Sequence, residues 1–167
     1  MRKPIAILAV ALLATALIVG CASEKSVPTM PTPAQGTVSY VTDSFLAQIG
    51  VDPTKSNEYG LYLPPGFNEN TSYPVLVLLN GFGGTEDYWT VIFNAADAAD
   101  WLISRGDIDP MVIVMPSGYN SLGGSFYTNS AHAAVQTSEQ HILDVLSEVE
   151  TTYPNVGGSA AMRGIGG

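Results

Sequence analysis

The sequence predicts an α/β fold, a largely parallel sheet with helices on both faces, and three observations carry that prediction. Two continuous apolar runs, Pro74-Val75-Leu76-Val77-Leu78-Leu79 and Met111-Val112-Ile113-Val114-Met115, lack the alternation of a half-solvated strand and read as strands covered on both faces. Stretches with helical spacing alternate with them. A glycine-dense loop follows the first run at once, so the chain turns sharply out of the sheet there.

Taken in order, residues 37–41 alternate with β-rich types and predict a strand. Residues 58–63 predict a second, closed by Pro64-Pro65-Gly66, which cannot continue a ladder. This leading pair has an antiparallel look. The third strand is the run 74–79. A helix is expected over 91–104, with Ile92, Ala95, Ala96, Ala99, Leu102 and Ile103 at helical spacing. The run 111–115, ended by Pro116, is the fourth strand. The second helix, 136–152, puts Ile142, Val145, Leu146 and Val149 on one face, with Thr137 and Gln140 spaced as a capping box. Residues 160–165 form a weaker last strand. The expected order is two leading strands, then β-α-β-α-β, without internal repeats.

The residues ahead of this domain read as an address. Met1-Arg2-Lys3 is a positive start and residues 5–19 are apolar, a secretory signal pattern over 1–20. The run falls short of the ~20 residues of a spanning helix. Leu17-Ile18-Val19-Gly20-Cys21 resembles a bacterial lipobox. Cys21 is the only cysteine, so no internal disulfide can form and attachment to lipid is its expected role. The alternative is an ordinary signal peptide with an incidental cysteine. Residues 21–36, with Pro28, Pro31 and Pro33 among polar types, have the composition of a tether. The globular domain is therefore expected over 37–167, lipid-anchored on the outer side of a bacterial membrane.

From Cys21 onward the chain carries four basic residues, Lys25, Lys55, Arg105 and Arg163, against fifteen acidic ones, a net charge of −11. Such a surface has no basic face for phosphates, which excludes nucleic acid as a partner. About 130 residues remain for the fold, where domains of this kind run to ~200–250.

The segment richest in chemistry is Leu79-Asn80-Gly81-Phe82-Gly83-Gly84-Thr85-Glu86-Asp87-Tyr88-Trp89. Glycines at 81, 83 and 84 leave backbone N–H groups uncovered, and such donors can stabilise an oxyanion, each being worth ~3–4 kcal/mol of barrier. A plain tight turn remains the alternative. A phosphate loop does not fit, because the spacing matches neither nucleotide fingerprint and no lysine follows. The acids Glu86-Asp87 are expected to charge the start of the following helix, and Asp107 and Asp109 sit in a turn before Pro110. His141 is expected on the surface or boundary of its helix, and His132 lies in a loop bordering the cleft. No metal or cofactor is expected from this residue set. Trp89 and Tyr88 are candidates for the cleft wall, with core packing an equal alternative for Trp89.

At the end, Arg163-Gly164-Ile165-Gly166-Gly167 reads as a strand running into a glycine pair. These segments together give a resemblance. Tyr62-Leu63-Pro64-Pro65-Gly66-Phe67, the run from Tyr73 to Gly84, Ser125-Phe126-Tyr127-Thr128-Asn129-Ser130 and Arg163 to Gly167 resemble the front of the putative-esterase (esterase D-like) family of α/β hydrolases. The family includes feruloyl and acetylxylan esterases, S-formylglutathione hydrolase, enterochelin esterases and mycolyltransferases. The resemblance implies the N-terminal part of an α/β-hydrolase sheet ending at the nucleophile strand. It also implies a Ser-Asp/Glu-His triad in that chain order.

Carried over by position, the resemblance implies the Phe82 backbone N–H as one oxyanion donor. Asn80, Gly81, Gly83 and Gly84 shape the loop, with Trp89 at the cleft. Asn80 departs from the histidine that usually opens this motif, although a polar residue is kept. Gly167 falls on the first glycine of G-x-S-x-G, so the whole triad is expected beyond it and the chain as given is expected to be inactive. The implied partners are a small-molecule or polysaccharide-linked ester and, through Cys21, a membrane. Two other readings stay open: an acyltransferase of the same fold, and a non-catalytic surface lipoprotein that keeps the hydrolase front half.

Overall fold

The computed structural model describes residues 32–42, 58–120, 122–129, 131 and 138–167. The signal segment, Cys21, most of the tether, His132 and Thr137 lie outside the described residues. Among those described are five strands in one mixed sheet: β1 (Thr37–Thr42), β2 (Glu58–Leu63), β3 (Val75–Leu78), β4 (Val112–Pro116) and β5 (Arg163–Gly166), in the order β1-β2-β4-β3-β5. The leading pair is antiparallel, Thr37 facing Leu63 and Thr42 facing Glu58, and β2 is antiparallel to β4. The other contacts are parallel, Val75 pairing with Val112 on one side and with Arg163 on the other.

The helices α1 (Ala95–Arg105) and α2 (Ser138–Thr152) cover opposite faces. One face packs Tyr59, Leu61, Val75, Val112 and Val114 against Val145 and Val149 of α2. The other packs Tyr62, Ile113 and Met115 against Ala96, Ala99 and Ile103 of α1. β4 is buried along its whole length, as its continuous apolar run predicts. β3 is not: Val75 and Val77 are buried, while Leu76 and Leu78, on the α1 side, are only half covered.

The structure departs from the sequence expectation at the first helix, at the last strand and at His141, each for a local reason. The first helix does not start at Val91. A single π-helical turn, Tyr88–Ile92, comes first, and Asn94 then takes a left-handed conformation (φ 50°) that breaks the path before Ala95. Asparagine tolerates that region better than most side chains. Residues 160–162 form a 3₁₀ turn, closed by Met162 N–H donating to Ser159 O, so the last strand starts at Arg163. His141 is buried, at 2% exposure, because it shares the core-facing side of α2 with Val145 and Val149.

Candidate active site

Adjacent strands β3 and β4 send their following helices to opposite faces of the sheet. Their loops therefore diverge at the carboxyl ends, which opens a crevice where ligands bind in sheets of this kind. The glycine loop rises from β3 into that crevice. Its turn is closed by Gly84 N–H donating to Gly81 O at 2.9 Å, and Gly83 occupies the third position with φ 80°, a conformation that a side chain would strain. Phe82 is thus carried at the tip, 61% exposed. Among the described residues no acceptor takes its N–H.

Asn80 organises this turn. It is 5% exposed, and its Nδ2 donates to Thr85 O at 2.8 Å and to Pro116 O at 3.3 Å, joining the start of the loop to its end and to the end of β4. Its Oδ1 accepts from the Tyr127 hydroxyl at 2.6 Å, and its backbone N–H donates back to the Tyr127 Oη at 3.0 Å. A side chain whose donors and acceptor are all engaged is shaping backbone. The packing is close enough to require glycine at two neighbours. A Cβ on Gly84 would stand 2.8 Å from the Asn80 side chain, and one on Gly118 would meet Asn80 Oδ1 and Tyr127 Oη.

Tyr127 was not singled out in the sequence. It lies 47 residues from Asn80 in a loop with no periodic signal, and only its place within the motif 125–130 marked it. Burial pushes its phenol up to about 12, so it stays a neutral donor at physiological pH. The loop it ends lies over the glycine turn. Gly123 O comes within 3.2 Å of a Cβ placed on Gly83, and the Phe82 and Phe126 rings sit 5.4 Å apart.

Two clefts flank this centre. One, of about 260 Å³, is lined by Phe82, Thr85, Asp87, Tyr88, Val91 and Ile92, with neighbouring glycines. The other, of about 430 Å³, is lined by Leu79, Asn80, Tyr127 and Ile165 to Gly167. Leu79 N–H donates to Gly166 O at 2.8 Å, which sets the end of β5 directly beside the base of the glycine loop. Trp89 packs against the α1-side core and contacts the Tyr88 and Phe93 rings; Tyr88 is the one of the pair that lines a cleft. Asp87 makes no side-chain cap to the π-helical turn. Its carboxylate accepts from Thr85 Oγ1 instead, and burial raises the carboxyl of Glu86, with the nearby Glu58 adding to the effect. Among the described residues no group of three or more His, Cys, Asp or Glu is placed to hold a metal ion.

With this geometry in place, the chain can be set beside known proteins. It is 27% identical over 129 residues to endo-1,4-beta-xylanase Y of Acetivibrio thermocellus, covering 71% of this chain and 11% of that protein. It superposes on a ferulic acid esterase with a TM-score of 0.61 at 25% identity, covering 78% of this chain and 49% of the other. A serine-to-alanine mutant of the feruloyl esterase module from Clostridium thermocellum, complexed with sinapinate, shares the fold with a TM-score of 0.58 at 24% identity, over 83% and 47% of the two chains. The chain thus spans about half the length of these solved esterases and about a tenth of the xylanase. The family described as putative esterase matches residues 54–154, more than half of the sequence, and the chain belongs to that family.

Proposed function

We propose that the protein is a serine carboxylic-ester hydrolase in which the turn Gly81–Gly84 supplies one half of the oxyanion hole. A serine hydroxyl attacks the ester carbonyl. The charge that develops on the carbonyl oxygen is held by the Phe82 N–H and one further backbone donor, while a histidine takes the serine proton and passes it to the departing alcohol. Water then cleaves the acyl-enzyme by the same route. The serine of this reading lies two positions beyond Gly167, and the acid and histidine lie beyond that, so residues 1–167 alone do not turn over ester.

The observation that carries the reading is the contact between β5 and the base of the glycine loop. Leu79 N–H bonded to Gly166 O means that a residue following Gly167 would emerge beside Asn80 and the turn. The resemblance of Arg163 to Gly167 to the approach of a nucleophile elbow agrees with this. An aromatic acid esterified to a polysaccharide is the substrate class suggested by the ferulic acid esterase and xylanase relatives, and Phe82 and Tyr88 give the smaller cleft an aromatic wall to match.

The test uses p-nitrophenyl acetate and methyl ferulate. The complete protein is expected to hydrolyse both, and alanine at the serine two positions beyond Gly167 to remove at least about a thousandfold of kcat. Saturable hydrolysis by residues 21–167 alone would refute the placement of the nucleophile. The address belongs to the same reading: residues 1–20 as signal, Cys21 as the lipidated residue and 21–36 as tether to the bacterial envelope. Labelled palmitate should enter the wild type and not Cys21→Ser; equal labelling of both removes the anchor.

A further inference from the structure

We infer that Tyr127 is a positioning residue for the oxyanion turn: its hydroxyl fixes Asn80, and Asn80 fixes the direction of the Phe82 N–H. The inference rests on the esterase reading for its catalytic consequence, but its structural half stands on the contacts alone. Among the described residues, the Tyr127 hydroxyl is the one group that meets Asn80 on both its backbone and its side chain, accepting from N–H and donating to Oδ1. By occupying Oδ1 it leaves only Nδ2 to face Thr85 O and Pro116 O, which sets the amide orientation. Those two bonds define both ends of the segment that contains Phe82.

Three further features indicate that the position of Tyr127 is imposed. Its backbone is left-handed, φ 55°, an uncommon and costly state for a residue with a large side chain. A Cβ at position 118 would clash with both Tyr127 Oη and Asn80 Oδ1, so the backbone there leaves space only for glycine beside this hydrogen bond. The loop leading to Tyr127 lies on the turn itself, since a Cβ on Gly124 would stand 2.5 Å from Gly83 N. One hydroxyl therefore joins the overlying loop, the hub residue and the turn. A displacement of the Phe82 N–H by a fraction of an ångström weakens the transition state more than substrate binding, because the oxyanion exists only there.

The experiment compares Tyr127→Phe with Tyr62→Phe in the complete protein. Tyr62 also loses a buried hydroxyl bond, 2.7 Å to Asp100, but on the α1 face of the core. Tyr127→Phe is expected to lower kcat by about 10–100-fold with KM within twofold, and to speed hydrogen exchange at the Gly84 amide by about tenfold while exchange in β3 and β4 holds. Tyr62→Phe should lower Tm and leave kcat unchanged. Equal losses of kcat in the two variants, or an unchanged Gly84 amide in Tyr127→Phe, would overturn the inference. A wild type without esterase turnover defeats the functional reading, and Gly84 exchange then decides the positioning role by itself. Should Tyr127→Phe not fold, Asn80→Asp preserves side-chain shape and supplies the same exchange readout: faster at neutral pH supports the inference, unchanged overturns it.

Discussion

Two of the tyrosine hydroxyls, those of Tyr62 and Tyr127, are held in polar contacts that do different work. Tyr62, in β2, donates to Asp100 of α1 at 2.7 Å, and the same carboxylate accepts from Gly36 N–H at 3.0 Å. Every member of that cluster except Gly36 belongs to a regular element, and the bonds clamp a helix and the chain entry to a sheet face. Tyr127 makes its contacts from one loop to the base of another, and no member beyond Pro116 lies within a strand or helix. Burial raises both phenols, and Asp100 raises Tyr62 further by its hydrogen bond and its charge. The first cluster carries a carboxylate and serves the core. The second is neutral throughout and serves a backbone shape. In the proposed reaction a neutral hub leaves the charge of the oxyanion unopposed, whereas a carboxylate in the place of Asn80 would repel it.

The sharpest way to break this contrast is at Asp100. Asp100→Ala strands the Tyr62 hydroxyl inside the α1-side core and frees Gly36 N–H, at a cost of about 3 kcal/mol. The expected result is a large fall in the urea midpoint with esterase kcat per folded molecule unchanged. A proportionate loss of kcat would show that the two clusters are coupled.

Next in size is Asn80→Asp. The new carboxyl keeps the acceptor for Tyr127 but turns an oxygen toward Thr85 O and Pro116 O, where Nδ2 donated before. At pH 7 the change should destabilise by about 2 kcal/mol. Because the carbonyls disfavour the charged form, the folded-state pKa of the introduced acid lies above its unfolded value. The stability deficit is therefore smallest below the unfolded value, about 3.9, and grows as pH rises through the folded one. Chemical denaturation at pH 4.5 and at pH 7 checks the sign: a deficit larger at the acid pH would mean that Asn80 is oriented the other way round.

How much of this was legible in the sequence follows from the range of the contacts. β2 fell at Glu58–Leu63 as expected and β4 one residue along, because both are set by local composition and closed by proline. The glycine loop and its polar first residue could be read, since the glycines leave few alternatives. The partner of Asn80 could not, because a bridge spanning 47 residues depends on how two loops converge above the sheet. The Tyr62–Asp100 bond, spanning 38, was hidden for the same reason, since nothing in the sequence marks Asp100 among the acids of its helix. His141 misled through chemistry: its neighbours Gln140 and Asp144 are polar and bond each other on the outer side of α2, while the imidazole points inward. The break at Asn94 was missed because apolar spacing continued through it; one left-handed residue outweighed the pattern.

The smallest expected effect belongs to a third polar cluster, the exposed counterpart of the other two. Glu150 of α2 accepts from Arg163 Nε at 2.7 Å and Nη2 at 2.5 Å, and from Gly158 N–H at 3.1 Å. It thereby ties the helix to the first residue of β5. The Arg163 hydrogen bonds hold the Glu150 carboxyl below its ordinary 4.5, with the Gly158 N–H adding to them against the opposing effect of burial. A depressed folded value means that the contribution is complete above about pH 4.5 and is lost as pH falls through the lowered value. Glu150→Gln should flatten that part of the acid limb in a Tm-versus-pH series and shift Tm only slightly at pH 7, since solvent reaches both partners. If the pair also aims β5 at the crevice, kcat of the complete protein will fall more than Tm predicts. If it is only a surface tie, kcat will hold, and positioning of the site will rest on the neutral Asn80–Tyr127 hub alone.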